Sequence, residues 1–409
     1  MKRIVLITSG QPSLNPRLVK EADALVEAGY EVKVIYQYWN DWGTELDIEL
    51  LKNKYWKAIR VGGSTHKQKL IYWYTRIQHK LATSILKLTD PRNLLAEAAI
   101  GRSTYLLTRK AQTIKADLYI GHNLAALPAV IKAAKKNNAK CGFDAEDFHR
   151  NEQSNEIKNF DVRLKTYVED KYIRELNYIS TSSPSISKAY KKLYPKTNPI
   201  TILNVFPRQN LGIKTTVHKH LRLFWFSQTV GLHRGIETVI KAMGMLNNPK
   251  LELHLLGSCT DEIKTSFNKL AETNGLGDHA IFYYNPVPEP DIFNLGLTFD
   301  IGLATETDVP HNRDICLTNK IFTYIQSGLA VIASDTSAQK QFMQEFPNMG
   351  MVYDKNNAAS LANLLKIYIN DNVLLSNHQE QALKYVNEVL NWEVESKKFL
   401  NIVEQTLRC

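Results

Sequence analysis

Residues 299–335 read FDIGLATETDVPHNRDICLTNKIFTYIQSGLAVIASD, and this stretch decides the fold. Phe299-Asp300-Ile301-Gly302-Leu303-Ala304 has the length and apolar character of a buried strand. A polar loop with Glu306, Arg313 and Asp314 follows. Asn319-Lys320 then opens a helix through Phe322, Tyr324 and Ile325, which stops at Ser327-Gly328. A second apolar strand, Leu329-Ala330-Val331-Ile332-Ala333, begins at once. Strand, helix and strand make one βαβ unit, the building block of a parallel sheet. The charged residues gather where strand gives way to helix, the edge at which such sheets bind ligands. A helix start there offers free N–H groups and the positive end of its dipole to a phosphate. The unit reads as a seat for an anionic, nucleotide-like ligand.

The same alternation runs outward in both directions. Ile4-Val5-Leu6-Ile7 precedes a helix with Leu18, Ala22, Leu25 and Val26, which ends at Gly29 before a strand over Val32 to Tyr36. Further strands are expected at Asp117 to Ile120, Lys140 to Phe143 and Tyr178 to Thr181. After Ile200 to Asn204 the pattern lapses. Residues 205–219, with Pro207 and Gly212, read as a linker. It resumes with a strand over Leu223 to Phe226, a helix over Gly235 to Leu246, and strands over Leu251 to Leu256 and Ala280 to Tyr284. Helices are expected over Ala358 to Asn370 and Asn377 to Leu407. A chain of 409 residues is too long for one core. The expectation is α/β: two doubly wound, Rossmann-like parallel-sheet domains over 1–204 and 220–376, then terminal helices over 377–409.

The apolar fraction of 44% and charged fraction of 22% are those of a soluble globular protein. A net charge of +10 favours anionic partners. Cys141, Cys259, Cys316 and Cys409 are scattered, with no C-x-x-C, so neither a disulfide framework nor a zinc site is expected and a reducing cytoplasm fits. The apolar run after Met1-Lys2-Arg3 is too short for a signal peptide. No stretch approaches the roughly 20 apolar residues of a membrane span. The basic residues read as spread out, with no nucleic-acid recognition motif, and no nucleic-acid partner is expected. One segment departs from the alternation. Leu70, Trp73, Tyr74, Ile77, Leu81, Ile85 and Leu88 recur at helical spacing, with Lys69, Arg76, His79, Lys80 and Lys87 expected on the other side. Packing of this helix over 66–88 on its own domain ranks first, and peripheral contact with an anionic membrane second.

Several loops carry chemistry. Ser9 to Arg17 joins the first strand to the first helix and lines the crevice of such a fold. In it Gly10 permits close backbone approach and Arg17 could meet an anion; G-x-G-x-x-G is absent. His122 sits at the end of a strand, where a ligand contact and a structural role are equally open. Asp144, Glu146, Asp147 and His149 could bind a hydroxylated substrate, act as acid and base, hold a metal, or simply cap a loop. Arg234 can direct its guanidinium at a diphosphate, and Gly235 lets backbone approach closely. Lys320 adds a second cation, and Glu306 or Asp314 could accept from ribose or sugar hydroxyls.

With these pieces in order, the chain resembles the GT-B glycosyltransferases, in particular the group 1 or family-four branch of bacterial sugar transferases. The resemblance rests on Asn15-Pro16-Arg17 through Ala28-Gly29-Tyr30-Glu31-Val32, His122-Asn123, Phe143 to Asp147, Ile202-Leu203-Asn204, Arg234-Gly235-Ile236-Glu237, Leu255-Leu256-Gly257, Phe299 to Leu303 and Asn319 to Tyr324. It implies two domains facing a cleft, the first on the acceptor side and the second binding a nucleotide sugar, with a terminal helix crossing back. It implies transfer of a sugar from a nucleotide-diphosphate donor to a glycan or lipid-linked glycan, for a bacterial surface polysaccharide, with retention and with no metal or cofactor. His122 matches the family's active-site histidine and Arg234 its diphosphate-binding basic residue. The catalytic set is then His122 and Glu306. The donor set is Arg234, Gly235, Glu306, Arg313, Asp314, Asn319, Lys320 and Thr323; the acceptor side is Gly10, Asn15, Arg17, Glu146 and Asp147. Thr323 stands where many relatives have the second of two glutamates, and Thr229 where a further arginine is common. Two rivals follow: a nucleotide-sugar epimerase of this architecture, and a non-catalytic nucleotide-sugar-binding subunit.

Overall fold

The computed structural model describes residues 1–91, 93–209, 211, 219–277 and 279–408, with Asn93 as backbone alone. Two parallel sheets carry the architecture. The first is built from β1 (Arg3–Thr8), β2 (Glu31–Gln37), β3 (Lys57–Val61), β4 (Leu118–His122), β5 (Lys140–Ala145), β6 (Tyr178–Thr181) and β7 (Ile200–Thr201), in the order β3-β2-β1-β4-β5-β6-β7. The second is built from β8 (Leu221–Thr229), β9 (Leu251–Ser258), β10 (Ile281–Tyr284), β11 (Ile301–Ala304), β12 (Ala330–Ser334) and β13 (Gly350–Tyr353), in the order β10-β9-β8-β11-β12-β13. Every paired neighbour runs parallel. The central strands are therefore buried on both faces, which is why Ile4 to Ile7 and Ala330 to Ala333 read as unbroken apolar runs.

In each sheet the winding reverses once, between β1 and β4 and between β8 and β11. The loops after those two strands diverge and leave a crevice at their carboxyl ends. Most of the functional side chains discussed below hang from those ends or from the helices that start there, and Asp144 and Glu146 come from the end of the adjacent β5.

The chain divides into two compact units. The first comprises Met1–Leu203, Pro310–Asn312 and the chain from Ser396 on; the second comprises Asn204–Val309 and Arg313–Glu395. Of the expected linker, residues 210 and 212–218 lie outside the described residues. Its start is not a linker in character. Val205 and Phe206 are buried in the second unit, where the Phe206 ring meets Phe293 edge-on at 5.0 Å.

The terminal helices run over Asn372–Glu388 and Trp392–Arg408 rather than unbroken from residue 377. Asn391 makes the break: its Nδ2 donates to the Val386 carbonyl and its Oδ1 accepts from Val394 N. One side chain thus ends one helix and caps the next. The helix expected over 66–88 runs over Lys69–Leu88, but its apolar stripe does not face its own unit: Leu70, Trp73, Tyr74, Ile77, Leu81, Ile85 and Leu88 are all exposed. None of the described helices is long and apolar enough to cross a membrane.

Packing in the deciding βαβ unit is tight. Gly302 in β11 lies under the Tyr324 ring, where an added Cβ would fall 2.1 Å from Cγ. Tyr324 cannot yield easily, because its hydroxyl donates to the Leu303 carbonyl and its ring meets Phe226 edge-on at 5.6 Å. Gly302→Ala is expected to lower stability by about 2 kcal/mol through overpacking. A denaturant midpoint equal to that of the wild type would show that the ring moves aside freely.

Candidate active site

Two clusters occupy the two crevices. In the first unit, β1, β4 and β5 end in register, Thr8 opposite His122 and His122 opposite Asp144. Arg17 comes from the helix Pro16–Glu27, which is opened by Asn15: its Oδ1 accepts from Leu18 N. The guanidinium of Arg17 clamps both Asp144 oxygens, at 2.5 and 2.8 Å, and donates to the Ile202 carbonyl at 2.7 Å. Ser180 also donates to Asp144. One helical turn beyond Arg17, Glu21 brings Oε2 to 3.1 Å from His122 Nε2. His122 Nδ1 faces Asp144 Oδ2 and Glu146 Oε1, each at 3.7 Å.

All of these side chains are fully enclosed except Glu146, which keeps 23% of its surface. Burial opposes a charged His122 ring, yet Glu21, Glu146 and Asp144 outweigh it and lift its pKa to about 10. Burial raises Glu21, and Asp144 adds to this against His122 and Arg17. Glu146 is lowered despite its burial, because the imidazolium of His122 and the Arg17 charge favour its anion. Two basic groups, Arg17 and His122, thus meet three carboxyls, Glu21, Asp144 and Glu146, in one enclosed network.

The arrangement leaves buried polar atoms without an aligned hydrogen bond: Asn15 Nδ2, both Glu21 oxygens, both His122 nitrogens and Glu146 Oε1. A cluster of orphaned polar atoms in a native interior calls for a functional account. His122, Asp144 and Glu146 have ligand atoms within 4.8 Å of one another, as a metal would need. Asp144 is already committed to Arg17 through both oxygens, so the set reads as an ion-pair network.

The second cluster lies in the second unit. The register of β8 against β9 shifts between Phe226 and Thr229, and this irregularity turns Ser227 and the Thr229 carbonyl toward Arg234. Arg234 Nη1 donates to both, at 2.6 Å each. Its guanidinium stands 5.8 Å from the centroid of the buried Trp225 indole. Lys320 Nζ stands 5.4 Å from the same centroid. The two cations are therefore at most about 11 Å apart, and both stand near one indole. Thr305 ties the pieces together, accepting from Trp225 Nε1 and donating to the Arg234 carbonyl. Ser227, Gln228, Thr229, Gly231 and Arg234 line a pocket of about 350 Å³.

Gly235 is required by geometry. Its φ is +82°, and a Cβ there would lie 2.6 Å from Thr305. It starts the helix Ile236–Leu246, placing the free N–H groups of that helix beside Arg234. Glu306 Oε1 accepts from Lys320 at 2.5 Å and from Thr318 at 3.1 Å. Despite burial, Lys320 and Thr318 hold its carboxyl below the ordinary value, so it is an anion at neutral pH.

Several expected roles need correction. Arg17 cannot meet an external anion, because it is buried and bonded to Asp144. Asn15 caps its helix through Oδ1, which leaves Nδ2 as its unbonded group. The space around Gly10 is open, since a Cβ there would come no nearer than 3.8 Å to another atom, so its expected role is not among those corrected. Thr323 is buried and its hydroxyl donates to the Asn319 carbonyl one turn back, so it offers nothing to a donor. Asp314 accepts from the backbone N–H and hydroxyl of Ser337, at 2.9 and 2.6 Å, and so anchors the start of the helix Ser337–Glu345. Asp147 accepts from Asn312, a residue of its own unit. Arg313 donates to Thr307, and Asn319 accepts from Asn204. Glu146, Arg234, Gly235, Glu306 and Lys320 remain grouped at the crevices. Sequence reading overlooked Glu21, Trp225 and Thr305. Glu21 had a signal, four residues after Arg17 on a helix face otherwise marked by Leu18, Ala22 and Leu25.

No family model matches this chain, and the curated proteins contain no match. Solved structures do match. A glycosyltransferase from Rickettsia africae is 15% identical with a TM-score of 0.68, and 99% of each chain is covered. HepE of Anabaena in complex with UDP-glucose is 12% identical with a TM-score of 0.68, covering 99% of this chain and 100% of that one. TarM of S. aureus, as a mutant in complex with Fondaparinux, alpha-GlcNAc-glycerol and UDP, is 12% identical with a TM-score of 0.67, covering 98% and 99%. The fold of this chain is that of the GT-B glycosyltransferases.

Because His122 is raised from 6.5 to about 10 in the folded chain, its contribution to stability is full below about 6.5 and is lost as pH rises through about 10. NMR should find the His122 ring charged and flat in titration between pH 6 and 8. A midpoint near 6.5 would sink this reading. Arg17→Ala should cost about 3–5 kcal/mol, since it strands the buried Asp144 charge; a thermal midpoint within a degree of wild type would contradict that.

Proposed function

We propose that this protein is a glycosyltransferase that moves a sugar from a nucleotide-diphosphate donor to a glycan or lipid-linked glycan, in the synthesis of a bacterial surface polysaccharide on the cytoplasmic side. The observation that carries the proposal is the convergence of Arg234 and Lys320 on Trp225 beside the start of the helix Ile236–Leu246. Departure of the diphosphate leaves negative charge that must be stabilised without reorganisation. Arg234 is preset for this: both of its hydrogen bonds use Nη1, which leaves Nε and Nη2 turned to other partners. Lys320 is fixed by Glu306 through one of its three donors, and Glu306 Oε2 is left to accept from a ribose or sugar hydroxyl. The bound UDP-glucose of HepE and UDP of TarM support a uridine nucleotide as the first donor to try. Glu146, the one member of the first cluster with open surface, is the group offered to an acceptor hydroxyl, with His122 behind it. The reaction on this reading retains configuration and uses no metal.

The test is a thermal-shift panel of nucleotide sugars followed by transfer assays with lipid-linked glycans. A productive donor should raise the midpoint, as any ligand selective for the native state does. Arg234→Ala and Lys320→Ala should each lower transfer about 10²–10³-fold. Unimpaired transfer in both variants would refute the diphosphate assignment. A new nucleotide sugar formed without acceptor would reveal an epimerase instead.

A further inference from the structure

The helix Lys69–Leu88 turns its apolar stripe away from the first unit. The residues it buries are Thr75, Ala82 and Leu86. Leu70 is 88% exposed, Trp73 58%, Ile77 56%, Leu81 59% and Leu88 90%. At roughly 100° and 1.5 Å per residue, Leu70, Ile77, Leu81 and Leu88 fall on one line about 27 Å long. Lys69, Arg76, Lys80 and Lys87 each precede one of those residues, so they form a second line running beside the first. Arg76 is pinned there by stacking over Tyr72 at 3.4 Å.

The surrounding sequence shares this polarity. Residues 50–89 contain nine Lys and Arg and no Asp or Glu. Nearly the whole formal excess of +10 thus comes from 40 consecutive residues, which corrects the impression that the basic residues are spread out.

We propose that this face docks on an anionic phospholipid bilayer, with the helix lying in the plane of the interface. Leucines and isoleucines would enter the acyl boundary, the rings of Trp73 and Tyr74 would sit at headgroup depth, and the lysine line would meet lipid phosphates. The pairing of two lines selects this partner. A nucleic acid would use the cations and leave the leucines wet. A second copy of the chain would bring one basic line against another, at an electrostatic cost. A sheet of apolar chains under anionic heads satisfies both lines at once. This proposal is independent of the sugar-transfer reading, since docking requires no nucleotide and is measured without one.

The full chain would be floated with vesicles of phosphatidylcholine alone and of phosphatidylcholine mixed with phosphatidylglycerol, while tryptophan emission is followed. Binding should favour the mixed vesicles, weaken with salt and shift the emission to the blue. Each cation at such a surface is worth a factor of about five, so Lys69→Gln/Lys80→Gln/Lys87→Gln should bind about a hundredfold more weakly. Ile77→Ser/Leu81→Ser should abolish flotation. Both variants replace exposed side chains and should keep the wild-type thermal midpoint. Equal binding to the two vesicle types, or unchanged binding in either variant, would overturn the proposal. So would a concentration-dependent dimer lost in Leu81→Ser, which would give the face to a second copy.

Discussion

The single reversal of winding in each sheet is the constraint on which the rest depends. Parallel strands need crossovers, and crossovers that leave in opposite directions from adjacent strands open a gap that no main-chain element fills. Here β1 and β4 open one gap and β8 and β11 the other. Helices start at these edges with unpaired N–H groups, so each gap has a polar, slightly positive floor before any side chain is added. The sequence then furnishes the two gaps in opposite ways.

In the first unit the charges are turned on one another. Arg17 and Asp144 form a bidentate pair away from water, and His122 is protonated by its neighbours' fields rather than by solvent. Removing one partner strands the other, so such networks are costly to break even where they add little net stability. Only Glu146 reaches the surface. In the second unit Arg234 donates to neutral groups, while Lys320 is paired with Glu306. Trp225 holds Arg234 and Lys320 by its π face, Thr305 binds the indole to the Arg234 backbone, and Glu306 steadies Lys320. Arg234 is thus held by Ser227, the Thr229 carbonyl and the indole, none of which neutralises it, whereas Lys320 shares its charge with Glu306.

Much of the fold was legible because buried parallel strands leave continuous apolar runs. The helices over Ala358–Asn370 and Asn319–Gln326, and the strands around them, followed from period and from stop signals such as Gly328. Short edge strands such as β3 and β13, partly exposed, left no such run. The terminal helix break was hidden because it depends on both ends of one side chain, Asn391. At the sites, residue type alone pointed to Arg234, Lys320 and Glu306. It misled at Arg17 and Thr323, whose polar atoms are taken by Asp144 and by the preceding helical turn. Single-sequence patterns show which groups can bind, but not which are already bound.

The amino-acid order by itself determined the alternation of strand and helix, the presence of two α/β units, the concentration of cations at strand ends and the amphipathic period of residues 69–88. Periodicity and glycine placement are local properties, and local physics fixes them. Tertiary structure alone decided which face of that helix stays wet, that Glu21 would share the fate of His122, and that Trp225 would stand near two cations distant in the chain. Those outcomes depend on burial and on electric fields, and both are set by residues far apart in sequence.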